Sequence, residues 1–184
     1  MTADAVARLP PIPERDGALV RGYEVAANVL LSLAAGLLGV IPDDAGAHLM
    51  APPIVYLFRH ALELKLKFYI RGLEEHLGKT RSEPKEHDLR RLWARYAELV
   101  VEHVPEMRGD ARLEVARRFF EEFQDDDRES TAFRYSTDRA GQQQLAKFDA
   151  INVGRFGDSA RTILRFLENP IKIALTRTED SGSS

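Results

Sequence analysis

The stretch from Val55 to His76, VYLFRHALELKLKFYIRGLEEH, constrains the fold more than any other segment of the chain. No proline interrupts it, and its apolar and charged residues recur with the period of an α-helix. Wound at about 100° per residue, Tyr56, Arg59, His60, Glu63, Lys67, Arg71 and Glu74 fall on one face. Leu57, Phe58, Ala61, Leu62, Leu64, Leu66, Phe68 and Tyr69 cover the remainder. So wide an apolar arc must touch neighbours on more than one side, as a central bundle helix does. A basic turn, Lys79 to Lys85, separates it from a second helical pattern opening on HDLRRLW, His87 to Trp93.

The surrounding segments supply partners for that helix. Residues 1–14 contain PPIP and read as an extended N-terminal arm. Asp16 suits the N-cap of a first helix reaching about Gly39, along which Leu19, Tyr23, Ala26, Leu30, Leu33 and Leu37 recur at helical spacing. The central helix is expected to start at Pro52 or Pro53, since proline is tolerated in a first turn, and to run to about Gly78. A third helix turns Leu89, Leu92, Trp93, Tyr96, Leu99 and Val100 inward and breaks at Pro105 and Gly109. A fourth, from Asp110, buries Leu113, Ala116, Phe119, Phe120 and Phe123 and ends in EEFQDDD. STAFRYST, Ser130 to Thr137, then alternates β-branched and aromatic residues, and Leu145 to Val153 can return beside it. A last helix starts near Asn152 or Asp158 and ends at Glu168, with Phe156, Ala160, Ile163, Leu164 and Leu167 inward and Pro170 as the stop. The predicted fold is therefore all-α: a bundle of about five helices with a short β-hairpin or extended insert before the last helix. One domain is expected over residues 15–170, followed by a largely disordered tail, 171–184.

Composition narrows the functional classes. With 184 residues the chain suits one domain. Its net charge of −3 supplies no global field for nucleic acid, so any such contact must be local. It has no cysteine, which removes disulfides, thiolate metal sites and a thiol nucleophile. Val25 to Ile41 carries no charge but is shorter than the roughly 20 residues that span a bilayer. The expectation is a buried bundle helix with no membrane association, in a cytoplasmic protein.

Four constellations bear chemistry. The first is an Arg-His pairing at short range, Arg71 with His76 or Arg81 with His87. Arginine stabilises a phosphate gaining charge, and histidine moves the proton of a 2′-hydroxyl, so the pair can cleave RNA without metal. The alternative is a solvated helix end, where positive charge meets the dipole. The second is His60 with His87-Asp88 and a later acid such as Asp149, the ligand types of an HD-type metal phosphohydrolase. Its alternative is that His87 or Asp88 caps the third helix. The third is the ladder Arg59, His60, Glu63, Lys67, read either as a cleft lining or as a solvent face held by i,i+4 pairs. The solvent face is the expectation here. The fourth is Phe133-Arg134-Tyr135, which can stack on bases and touch phosphate, or pack as a hairpin with Arg134 turned to the acidic run. No phosphate-cradling glycine loop and no zinc signature is present.

RHALEL, HDL and STAFRY together give the stretch from Ala51 to Leu167 a likeness to a known family. It resembles bacterial HEPN-like proteins (higher eukaryotes and prokaryotes nucleotide-binding domains). The resemblance implies a dimeric bundle of four or five helices without a cofactor or metal. It also implies either a metal-independent ribonuclease or an inactive member that binds RNA, a nucleotide or a neighbour-encoded protein. Catalytic members carry Arg-x4-6-His near the start of the last helix. Here that helix offers Arg155, Arg161 and Arg165 and no histidine. The resemblance therefore implies an interaction or nucleic-acid-associated module of a stress or defence system. Arg71, His76, Arg81 and His87 would be the catalytic groups of the ribonuclease alternative. Arg59, His60, Glu63, Lys67, Asp88, Arg134 and Tyr135 are the candidate binding residues.

Overall fold

The computed structural model describes residues 15–37, 45–80, 84–126, 133, 141 and 152–170. Five α-helices follow one another: α1 (Arg15–Leu37), α2 (Ala45–His76), α3 (Leu89–His103), α4 (Ala111–Asp126) and α5 (Val153–Phe166), with a 3-10 turn at Pro105–Met107. No strand occurs among the described residues. The expected hairpin falls almost wholly outside them, as do the N-terminal arm and the C-terminal tail.

α2 is the axis of the bundle. It packs most extensively on α1 and also meets α3 and α5, while α4 is carried on α3. This is the many-sided contact its apolar arc requires. Ile54, Val55, Phe58, Ala61, Leu62, Leu66 and Ile70 are all buried. α3 and α5 turn inward the residues that their periodicity selects, with one aromatic seam joining α3 to α4. In it Trp93 stacks on Phe120 with ring centroids 5.2 Å apart. Tyr96, fully buried, donates its hydroxyl to the Leu167 carbonyl at 2.7 Å and so ties α3 to the end of α5. Burial pushes the Tyr96 phenol well above its ordinary range, so it stays a donor at any ordinary pH.

Two expectations about the helices change. α2 begins at Ala45, and Pro52 and Pro53 lie inside it. Ala51 is buried and Met50 packs on the core, so tertiary contact carries the helix through residues that lack an N–H donor. α1 buries Val20, Ala27, Leu31 and Ala34; of the predicted stripe, Tyr23 and Leu30 pack partly buried on the core, whereas Leu19 and Leu33 are exposed. The polar residues Arg21, Glu24, Asn28 and Ser32 of α1 share one narrow stripe and apolar residues cover the rest, so periodicity alone leaves a wide choice of inner face. Gly157 of α5 lies against Leu31, close enough that a Cβ there would push the Leu31 side chain aside. An exposed apolar line remains on the other side of α1. Leu19, Val25, Val29 and Leu33 are 51%, 60%, 52% and 52% accessible. Residues 16–35 of α1 are also long and apolar enough to cross a membrane by length and composition.

Candidate functional site

The site is built where the segment after α2 doubles back along it. α2 ends in a glycine cap. Gly78 takes a φ of +64°, and Lys79 N–H reaches back to the Glu74 carbonyl at 2.8 Å. The chain then returns until His87 lies against Glu63, a retreat of about 20 Å along the helix. Asp88 caps α3 there, its carboxylate accepting from Arg90 N–H at 2.9 Å and Arg91 N–H at 3.2 Å. Gln124 of α4 accepts the Leu89 N–H at 2.8 Å, which fixes the same turn from the other side.

Glu63 gathers three partners. Its Oε1 accepts from His87 Nδ1 at 2.8 Å and from Lys67 Nζ at 2.9 Å, and its Oε2 accepts from Arg59 Nη1 at 2.9 Å. Arg59 also donates through Nη2 to the His87 backbone carbonyl at 2.7 Å. His87 is thus held by ring and by backbone. Arg59 and Glu63 are each only 3% exposed, whereas the His87 side chain is 67% exposed. The expected solvent-facing ladder is therefore a buried one, because the return segment and α3 cover that face of α2. Burial pushes the Glu63 carboxyl up, but the hydrogen bonds and charges of Lys67 and His87 outweigh it and hold the group below its ordinary value of 4.5. An ionised carboxylate only accepts, so the neutral imidazole carries its proton on Nδ1 and its lone pair on Nε2. That arrangement suits proton transfer at the protein surface.

The other predicted residues scatter. Arg71 pairs with Asp16 of α1 at 2.6 Å, and His76 lies edge-on to His103 with centroids 4.5 Å apart. Five residues apart, Arg71 and His76 leave α2 about 140° from one another. Arg81 lies outside the described residues. His60 sits between Tyr23, at 4.3 Å edge-on, and Tyr56, stacked at 5.8 Å. His87 is engaged with Glu63 and Asp88 with its cap, and Asp149 lies outside the described residues. Among the described residues no group of three histidines or acids is arranged to hold a metal ion. Phe133 is buried against Phe123, while Arg134 and Tyr135 lie outside the described residues.

Two structural groups escape sequence reasoning. Lys65 lies on the apolar side of α2, buried, and pairs with Glu168 at 2.6 Å and Glu24 at 3.4 Å. Gln124, also buried, sits inside the acidic run EEFQDDD and looks like a surface residue. No local pattern marks either one, since their partners come from other helices. Away from His87, an open groove of about 690 Å³ lies between α3 and α4, with Trp93, Ala97 and Val101 among its lining residues. It contains none of the predicted site residues.

Comparison with protein-family models, with curated proteins and with solved structures found no significant match to this chain.

Proposed function

We propose that this chain is a HEPN-like, nucleic-acid-associated module of a bacterial stress or defence system, acting as a homodimer in the cytoplasm. One observation carries the reading. Two of the three segments behind the resemblance lie far apart in sequence yet meet in one network: Arg59 and Glu63 of RHALEL hold His87 of HDL. A purely structural role would be served by apolar packing. A surface imidazole fixed by a buried carboxylate and two buried or half-buried cations is instead equipped to meet a ligand. The apolar line on α1 supports self-association, since a contiguous exposed apolar face is characteristic of an interface. Light scattering on the purified protein, followed by titration of labelled single-stranded RNA, tests both parts. A strict monomer that binds no RNA removes the proposal.

The Glu63–His87 pair favours a second reading, a metal-independent endoribonuclease. Nε2 of His87 would take the proton of a 2′-hydroxyl, and the freed oxygen would attack the adjacent phosphorus and expel the 5′-oxygen of the next nucleotide. Cleavage of single-stranded RNA in EDTA, lost in His87→Ala, is the result this reading requires.

A further inference from the structure

The doubling back of the chain after α2 creates a groove next to the Glu63 network. It measures about 440 Å³ and is bounded by Ile70 and Glu74 of α2, by Pro84 to Glu86 of the return segment, and by Arg91, Leu92 and Arg95 of α3. Glu86 precedes His87 in the chain, so groove and imidazole adjoin. They also share a face of α2. Glu63, Lys67, Ile70 and Glu74 lie within about 60° of one another round the helix.

Three cations and two carboxylates line the groove, but they do not cancel evenly. Glu74 is 1% exposed and takes both Arg95 Nη2, at 2.9 Å, and Arg95 Nε, at 3.3 Å, on Oε1. A carboxylate buried that deeply acts as an anchor and sets the guanidinium's orientation, while Arg95 Nη1 extends towards Glu98 at 3.7 Å. Arg91 is 78% exposed, and its Nε lies 3.9 Å from Asp88 Oδ2. The Asp88 carboxylate is already engaged by two backbone donors of the α3 cap. Lys85 is exposed and forms no ion pair among the described residues. With Glu74 and the exposed Glu86 set against Lys85, Arg91 and Arg95, the lining sums to one positive charge, on a protein whose net charge is −3.

We propose that this groove holds the phosphodiester backbone of a single RNA strand that runs past His87, with Lys85, Arg91 and Arg95 on its phosphates. The inference rests on the nucleic-acid reading above and names where the strand lies. An arginine oriented by a buried acid offers phosphate a preset donor pair, and a mobile lysine adds a point charge. Pro84, partly exposed, gives the groove an apolar edge on which a sugar can rest, with Ile70 and Leu92 buried behind it.

The test is a fluorescence-anisotropy titration of a 5′-labelled oligouridylate with the full chain over a series of KCl concentrations. The Lys85→Gln/Arg91→Gln double variant is compared with wild type and with Arg117→Gln, which removes an exposed charge on α4. Both altered groove residues are exposed, so thermal melts should coincide. The double variant should bind about 10-fold more weakly and reduce the slope of log Kobs on log salt by about 1.4, two phosphate contacts of a single strand. Arg117→Gln should match wild type. Equal affinity and slope in the double variant overturn the groove and leave the nucleic-acid reading standing. An equal loss in Arg117→Gln also overturns the groove, because the effect is then one of overall charge. A wild-type protein that does not bind the oligouridylate overturns groove and reading together.

Discussion

Glu63 Oε1 lies 2.8 Å from His87 Nδ1, although the two residues are 24 positions apart in the chain. The carboxyl is held below its ordinary value in the folded protein, so the unfolded chain binds its proton more readily. The stability this contributes is complete above the unfolded value of 4.5 and is lost as pH falls through the lower, folded value. Urea denaturation of wild type and Glu63→Gln should therefore converge as the solution is acidified from about pH 5 to pH 3. Parallel curves across that range would show that Glu63 is not held in this way.

Removing Arg59 strands a buried acid, and removing Lys65 does not. Arg59→Met leaves Glu63, 3% exposed, with one fewer cation and the His87 carbonyl without its donor. A loss on the order of 3 kcal/mol is expected. Lys65→Met keeps the apolar stem, and the carboxylates it releases, Glu24 and Glu168, are 27% and 35% exposed and can hydrate. Its cost should be below about 1 kcal/mol. Chemical denaturation of both variants reads the difference, and the reverse order would refute the assignment of the buried charge.

Tyr96→Phe deletes the hydroxyl that serves the Leu167 carbonyl. A buried acceptor left unpaired costs about 1–3 kcal/mol, visible as a lower urea midpoint at unchanged m-value. An unaltered midpoint would mean that water replaces the hydroxyl.

Gly157→Ala brings a methyl into Leu31 and should destabilise the protein by about 1–3 kcal/mol. Leu31→Ala should cost less in the Gly157→Ala background than in wild type. Simple additivity of the two would mean that the residues do not compete for the same space.

The apolar line of α1 predicts concentration-dependent assembly. Val29→Lys/Leu33→Lys, both at exposed positions, should shift the protein towards monomer in sedimentation equilibrium. Unchanged mass would dissociate α1 from any dimer contact.

Helical class and the inner faces of α3 and α5 were legible because apolar spacing reports burial well where one side of a helix is polar. Leu89, Leu92, Trp93, Tyr96, Leu99 and Val100 are buried as their spacing requires. The inner face of α1 was only partly legible, because its polar residues Arg21, Glu24, Asn28 and Ser32 cover one narrow stripe and leave a wide apolar arc to choose from. Pro52 and Pro53 misplaced the start of α2 because packing outweighed a local preference. At the site, the residue types in Arg59, Glu63 and His87 were visible, but their burial was not. An i,i+4 pair looks the same in sequence whether water or another segment covers it. Lys65 and Gln124 carried no signal at all, since each is made buried by contacts with other helices.

The Lys65 ammonium answers to acids on both sides of it in sequence, Glu24 upstream and Glu168 downstream. On the ribosome those partners emerge at different times, and the second follows almost the whole fold. Until then the lysine has only its upstream acid and must keep much of its water, so α2 cannot settle fully against its neighbours. Final closure of the bundle, and with it a dry Lys65, belongs to the moment when the end of α5 arrives.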